Sequence, residues 1–298
     1  MSNKANQEIT DKVIAYIQSN EALPWTQPWF GTAWPVSHLS GKRYSLLNAM
    51  AIFMSDEAFG FGKASEYITW NQIQKTANAH LRKGSKGQRV YFYSTFDKTE
   101  TDKDGNTIIR QVPFLKTYTV FNVDDCEGIS RKWQPKITNP ANTPIETVEA
   151  VINKYISRNN IEIRHERNEA FYSIKSNYIN IPVISNFRST EDYYNVLMHE
   201  LTHSSGKFLG RFKEGDSTSP FGSPDYSREE LVAEMGASFL LNHFGIANTH
   251  TLKQNAAYVK SWIRALRNDV TLITVAANRA ERAVQYILGE DTANSTEE

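Results

Sequence analysis

His199-Glu200-Leu201-Thr202-His203 constrains this 298-residue chain more than any other stretch. Two histidines four positions apart lie one turn above each other on the same face of a helix. Both imidazoles then reach a single Zn²⁺ at about 2.0–2.1 Å. Glu200 points slightly round the helix, where a carboxylate can hold a metal-bound water and take its proton. The flanks support a helix: Ser189 and Thr190 offer N-caps, Glu191 and Asp192 suit its positive end, and Gly206 is placed to end it. Val196 and Leu197 supply the buried side.

A hydrolytic metal site needs a third protein ligand and leaves its fourth position to water. The downstream helix that opens at Ser227, through Arg228-Glu229-Glu230-Leu231-Val232-Ala233-Glu234 to Ala237, offers three glutamates. At about 100° per residue, Glu229 shares a face with Val232, Ala233, Gly236 and Leu240, and those small residues predict a close approach to the histidine helix. A carboxylate on a packing face is costly unless it is paired or bound to metal. Glu229 is therefore the expected ligand, with Glu230 the competing candidate. Glu230 and Glu234 lie towards the polar side, as partners to an imidazole N–H or as solvated charges.

The length allows two domains, and a hydrophobic content of 40% allows each a core. Thirty-three basic residues balance thirty-three acidic ones, so any attraction to nucleic acid must be local. The single cysteine, Cys126, excludes an internal disulfide framework and reads as a buried thiol rather than a nucleophile. No apolar run approaches the roughly 20 residues of a membrane span, and residues 1–11 lack the apolar core of a signal peptide. A soluble, cytoplasmic protein without a membrane partner is the expectation.

Taken in order, Gln7 to Gln18 predicts an amphipathic helix with Ile9, Val13, Ile14 and Ile17 on one side. The following segment holds Trp25, Trp29 and Trp34 among Pro24, Pro28 and Pro35. It is either a strap packed over a core or a set of platforms on which unpaired bases stack. Lys42, Arg43 and Tyr44 form a cationic, aromatic turn before a helix from Leu46 to Met54. Gly60-Phe61-Gly62 breaks the chain. Tyr67 to Trp70 reads as a strand, and Asn71 to Ala79 as a helix that leads into a basic loop with Arg82, Lys83, Lys86 and Arg89. Between Lys63 and Lys98, seven Lys/Arg face only Glu66 and Asp97. Val90 to Tyr93 and Lys116 to Val123 pair as strands, joined by a polar segment that turns at Asp104-Gly105-Asn106. Cations beside exposed rings are what sequence-tolerant binding of single strands requires.

Pro135, Pro140 and Pro144 mark a linker over 129–146. A helix from Ile145 to Arg158, short strands at 171–174 and 178–181, and closing helices at 252–268 and 270–288 complete the second half. Residues 291–298 read as a disordered tail. The expectation is an α+β protein with a DNA-binding domain over 1–128, the linker, and a metal-binding domain over 147–290.

The chain resembles the ArdC-type antirestriction proteins of conjugative plasmids. In the first half the resemblance rests on Leu23-Pro24-Trp25, Pro28-Trp29, Gly41-Lys42-Arg43-Tyr44, Asn48, Trp70-Asn71-Gln72, Arg82-Lys83-Gly84-Ser85-Lys86-Gly87, Val120-Phe121-Asn122-Val123 and Cys126-Glu127-Gly128. In the second half it rests on Tyr178-Ile179-Asn180-Ile181-Pro182, the histidine motif with Gly206, and Glu229 to Glu234. The resemblance implies an N-terminal domain that binds single-stranded DNA with little sequence preference. It also implies a C-terminal zincin-like metallopeptidase domain similar to that of the Spartan/SprT proteases, and protection of incoming DNA from host restriction. On this reading Glu200 is the catalytic base and His199 and His203 hold zinc, with another divalent transition metal as the alternative; the resemblance leaves the third ligand open between Glu229, which the packing argument favours, and Glu230. Trp25, Trp29, Lys42, Arg43, Tyr44, Arg82, Lys83, Lys86 and Arg89 contact DNA. The protein substrate is unnamed, a restriction-system component being one candidate. Two other readings are a DNA-coating protein with a structural zinc and a DNA-dependent protease of DNA-bound proteins.

Overall fold

The computed structural model describes residues 2–21, 23–26, 34–55, 64–101, 107–133, 145–187, 189–212, 224–246 and 256–290. The fold is α+β, and the chain divides into two compact units. The first contains residues 1–13 and 34–135, the second 14–33 and 136–295. The first division falls inside helix α1 (Ser2–Asn20), so the expected unbroken first domain over 1–128 lends the segment 14–33 to the second unit. Ile9, Val13, Ile14 and Ile17 are all buried, as the helical spacing predicts.

The first unit is built on a four-stranded sheet in the order β1-β2-β5-β4, from β1 (Val36–Ser37), β2 (Glu66–Thr69), β4 (Gln88–Thr101) and β5 (Thr107–Asn122). β4 and β5 pair antiparallel from Gln88↔Val120 to Thr101↔Thr107. The polar segment expected between two short strands is thus mostly strand itself, while the turn at 104–106 lies outside the described residues. The ladder continues through polar positions such as Asp97↔Gln111 and Lys98↔Arg110, because backbone pairing needs no apolar side chain. The open edge of β4 is met by helix α2 (Leu46–Phe53): Asn48 accepts from the Tyr91 N–H at 2.6 Å and donates to the Tyr91 carbonyl at 2.9 Å. A side-chain amide here does the work of a neighbouring strand.

Helix α3 (Trp70–Lys75) starts on a Thr69–Gln72 capping box and stops four residues before the expected end. Asn78 follows at φ 61°, a backbone conformation incompatible with continued helix. The chain then forms β3 (His80–Leu81), which pairs antiparallel with β6 (Cys126–Glu127). Cys126 is buried beside Ile68, Ile73 and Val123, and burial pushes its thiol pKa up, which suits an inert packing role.

In the second unit, helix α4 (Ile145–Arg158) has the predicted bounds. The expected strand pair becomes a three-stranded sheet, β7-β9-β8, from β7 (Glu162–Arg164), β8 (Phe171–Ser173) and β9 (Tyr178–Asn180). Helices α5 (Thr190–Phe208), α6 (Pro224–Phe244), α7 (Ala256–Asn268) and α8 (Leu272–Leu288) complete it. The core gathers Ile152, Tyr155, Ile179 and Ile181 with Leu197, Leu201, Leu240 and Val284. Two boundary expectations are corrected. Pro224 opens α6, where its missing N–H costs nothing, so Ser227 is inside the helix and is not its cap. Gly206 lies inside α5, where an added Cβ would come within 2.5 Å of the Phe212 ring; Gly210, at φ 67°, takes the turn beyond the helix end.

Of the expected linker, 129–133 belong to the first unit, and 134–144 lie outside the described residues, as do Gly60-Phe61-Gly62 and the tail 291–298. No helix among the described residues is long and apolar enough to cross a membrane.

Candidate metal centre and nucleic-acid interface

Helix α5 opens on Ser189, whose hydroxyl accepts from the Asp192 N–H at 3.1 Å, with Glu191 and Asp192 in the first turn. The helix carries His199 and His203 on one face, and their Nε2 atoms lie 3.1 Å apart. Helix α6 crosses closely because Gly236 meets Thr202; a Cβ at Gly236 would stand 2.5 Å from Thr202 Cγ2. This approach brings two adjacent glutamates of α6 to the histidines, and they divide the work.

Glu230 reaches both Nε2 atoms, at 3.6 Å from His199 and 3.5 Å from His203. Donor atoms of His199, His203 and Glu230 all lie within 4.8 Å of one another. A tetrahedral ion with bonds of about 2.0–2.1 Å sets its ligand atoms about 3.3 Å apart, close to the spacing found. Two imidazole nitrogens facing each other at 3.1 Å also require a proton or a cation between them. The donor set therefore fits a divalent metal.

Glu229 does something else. Its Oε1 accepts from His203 Nδ1 at 3.3 Å, on the far side of the ring from the donor cluster. Arg211, just past the end of α5, donates Nε to Glu229 Oε2 at 3.1 Å and Nη2 to Oε1 at 3.0 Å. The same guanidinium donates to the Thr202 carbonyl at 2.6 Å and to Ser205 Oγ at 3.1 Å. Glu229, the expected third ligand, thus stands outside the donor cluster, which takes Glu230 instead. Glu229 does face the packing side, but an arginine stabilises its charge there, and the metal-facing position falls to Glu230. Helix geometry made Glu229 need a partner without saying which kind; Arg211 carried no motif that would have disclosed it.

The electrostatics follow. Burial alone would push the His203 pKa down, but hydrogen bonds to Glu229 and Glu230, with the field of Glu200, lift it to about 10. Burial would raise Glu230, yet its contacts with both imidazoles hold it far below the usual carboxylate range. Glu229 is likewise held low, by His203 and Arg211 against its own burial. Glu200 is itself buried.

The expected DNA-contacting residues separate. Trp25 is only 3% exposed, and its Nε1 donates to Glu234 Oε2 at 2.7 Å within the second unit. Its ring meets Trp262 edge-on at 5.7 Å. Trp25 is thus strap and core, with no face open to a base, and that expectation is corrected. It also occupies Glu234, the third glutamate of α6. Trp29 lies outside the described residues.

Arg89 is held by Glu8, at 2.9 Å from Nε and 3.2 Å from Nη2, so much of its charge is already answered. Tyr44 is partly buried edge-on to Tyr67, and burial pushes its phenol up to about 12. Lys42, Arg43, Arg82, Lys83 and Lys86 are exposed, Arg82 with Glu127 at 3.7 Å. The exposed rings of the first unit are ones that sequence reading passed over. Trp70 is 48% exposed and touches Phe121 edge-on, Tyr118 is 49% exposed on β5, and Trp133 is 42% exposed.

Comparison with known proteins adds the following. A model of the N-terminal domain of the anti-restriction factor ArdC matches residues 3–121, and a model of zincin-like metallopeptidases matches residues 150–279. An uncharacterized protein, y4eC, of Sinorhizobium fredii is 28% identical over 94% of this chain and 90% of its own length. A DNA primase TraC of Escherichia coli is 30% identical over 95% of this chain, which spans 27% of the primase. The antirestriction ArdC protein of plasmid R388 is similar in its metal-free structure, with a TM-score of 0.68 at 29% identity, covering 96% of this chain and 98% of that one. Its Mn(II)-bound structure gives a TM-score of 0.70 at 28% identity, covering 97% and 98%.

Proposed function

Because this chain belongs to the ArdC-type antirestriction family, with an N-terminal ArdC domain followed by a zincin-like metallopeptidase domain, we propose that it binds single-stranded DNA and holds a metal-dependent peptidase site. Its role on this reading is to protect incoming plasmid DNA from restriction. The observation that carries the peptidase reading is the convergence of His199 Nε2, His203 Nε2 and the Glu230 carboxylate, next to a buried glutamate one residue after the first histidine. His199, His203 and Glu230 would hold the ion. Zinc is the first choice for this nitrogen and oxygen donor set, and manganese the alternative.

A bound divalent ion supplies Lewis acidity towards a peptide carbonyl and acidifies a water. Glu200 would be the general base of such a hydrolysis, holding the proton drawn from water and passing it to the leaving amine. A purely structural site has no use for a glutamate at this position. Glu229 fixes the His203 ring through Nδ1 and keeps Nε2 directed at the ion, and Arg211 fixes Glu229. In the first unit, exposed Lys83 and Lys86 would track phosphates while exposed rings stack on bases.

The test is a restriction-protection assay with Glu200→Gln, which keeps the ligands and removes the base. Loss of protection, together with retained metal and retained DNA binding, is the expected result. Full protection by Glu200→Gln would mean that the chain shields DNA by coating it and that proteolysis is not its means of protection. Cleavage of DNA-bound proteins only in the presence of single strands would name the DNA-dependent protease reading instead.

A further inference from the structure

The first unit contains a carboxylate that the metal site does not explain. Glu66, on β2, is fully buried. An ionised carboxylate out of water costs several kcal/mol unless hydrogen bonds replace its solvation. Here the replacement comes from His38 and from the backbone of residues 132–133. Nδ1 of His38 donates to its Oε2 at 2.6 Å. The backbone N–H of Lys132 donates to Oε1 at 2.8 Å and to Oε2 at 3.1 Å, and that of Trp133 donates to Oε1 at 2.8 Å. His38 adds a second hold, because its carbonyl accepts from Trp133 Nε1 at 3.1 Å. A buried His–Glu pair thus fixes both the backbone and the indole of a tryptophan that remains 42% exposed.

What lies under that indole is Gly41, at φ 71° in the turn after β1. A Cβ there would meet three consecutive atoms of the six-membered ring, Cζ2, Cε2 and Cη2, at 2.7–2.8 Å. Near-equal distances to three neighbouring ring atoms place Gly41 beneath a face of the ring, not at its edge. Glycine is therefore required twice over, by its φ and by the ring. With one face on Gly41, the exposed part of Trp133 is directed to solvent. The residues adjoining these contacts in the chain are cationic: Lys42 and Arg43 follow Gly41 and are exposed, and Lys132 precedes Trp133 and is exposed. Of the carboxylates bonded to residues 131–133, Glu66 is fully buried and Asp124 is paired with Arg131 at 2.6 Å.

We propose that Trp133, with Lys42, Arg43 and Lys132 around it, is a pre-formed stacking platform for a base of single-stranded nucleic acid. The inference deepens the DNA-binding reading of the first unit and rests on it. An exposed tryptophan that serves only packing has no need of a fully buried carboxylate to hold it still. A base platform does, because a ring already immobilised loses little further freedom when a base stacks on it. The cations match the phosphates on either side of a stacked base, and stacking on an indole is tolerant of which base is bound.

The experiment measures binding of a fluorescent oligo-dT to the full chain by anisotropy across a salt series. Trp133→Ala should weaken binding between about 5-fold and 100-fold, the range of one lost stack. Trp133→Phe should recover most of it, since a ring remains, and Lys132→Ala should flatten the log–log salt slope by about 0.7. Thermal melting establishes that each variant is folded. Should Trp133→Ala fail to fold, ultraviolet crosslinking of a bromouracil oligonucleotide to the wild-type chain replaces it, and a crosslink to Trp133 is then the expected result. Wild-type binding that is unchanged in folded Trp133→Ala, or crosslinks found only elsewhere, overturns the platform while leaving the DNA reading intact, and points to a protein docked on this ring. No binding of oligo-dT by the wild-type chain overturns both.

Discussion

Arg211→Met is the sharpest perturbation of the metal centre that touches no ligand. The guanidinium donates hydrogen bonds to Glu229, Thr202 and Ser205, and its side chain is only 4% exposed. Methionine fills similar volume but strands the Glu229 carboxylate with one remaining partner, His203 Nδ1. Breaking a buried pair from one side costs about 3–5 kcal/mol, and the surviving His203 contact argues for the lower end. At roughly 2–4 °C per kcal/mol for a unit of this size, the metal-free protein should melt about 6–12 °C lower. Metal affinity should fall about 10- to 100-fold, because the His203 ring loses its fixed orientation. Melting in the presence of a chelator and competition with a zinc indicator read the two effects separately. The double variant Arg211→Met/Glu229→Leu removes both charges and should regain most of the melting temperature without regaining the affinity. An Arg211→Met protein that melts within 2 °C of wild type and holds metal equally well would refute the chain of support from Arg211 through Glu229 to His203.

Three further outcomes follow from the same geometry. Glu230→Ala should lose stoichiometric metal by elemental analysis while Glu229→Ala retains a weakened site; the reverse pattern would restore Glu229 as ligand. For the metal-free chain, His203 is raised from 6.5 to about 10, so its contribution to stability is complete below about pH 6.5 and is lost as pH climbs through 10. Glu229 and Glu230 are depressed from 4.5, so theirs is complete above about pH 4.5 and is lost in acid, and melting with chelator should peak between these limits. Gly236→Val should cost about 1–3 kcal/mol or more by forcing α6 away from Thr202, and chemical denaturation would expose the error if it cost nothing.

How far the sequence could be read depended on whether a residue's role was set locally. Helix α4 was legible to the residue because its apolar spacing and the proline just before it both lie in the chain itself. The close α5–α6 crossing was legible because Gly236 and Ala233 are small in any context. The length of β4 and β5 was not, since a ladder of polar residues is stabilised by its partner strand and carries no apolar alternation. Trp25 shows the limit most plainly. Its proline-flanked segment suits a stacking platform as well as a core strap, and only Glu234, 209 positions away, decides between them.

Glu229 and Glu230 illustrate the same limit at the scale of one helical turn. The argument that a carboxylate on a packing face must be paired or bound to metal was sound, and Glu229 obeys it. It obeys through Arg211, a residue just past the end of α5, so the cost of burial identified a residue that needs support and not the kind of support it has. Metal ligation asks a different question, namely which oxygen can approach Nε2 of both histidines at once. Glu230 satisfies it because it stands one position further round α6, at 3.6 and 3.5 Å, while still a quarter exposed. A ligand in a hydrolytic site has to border the cleft, whereas the group that orients a ligand is better buried behind it. By that criterion the less buried of two adjacent carboxylates is the one to assign to the ion.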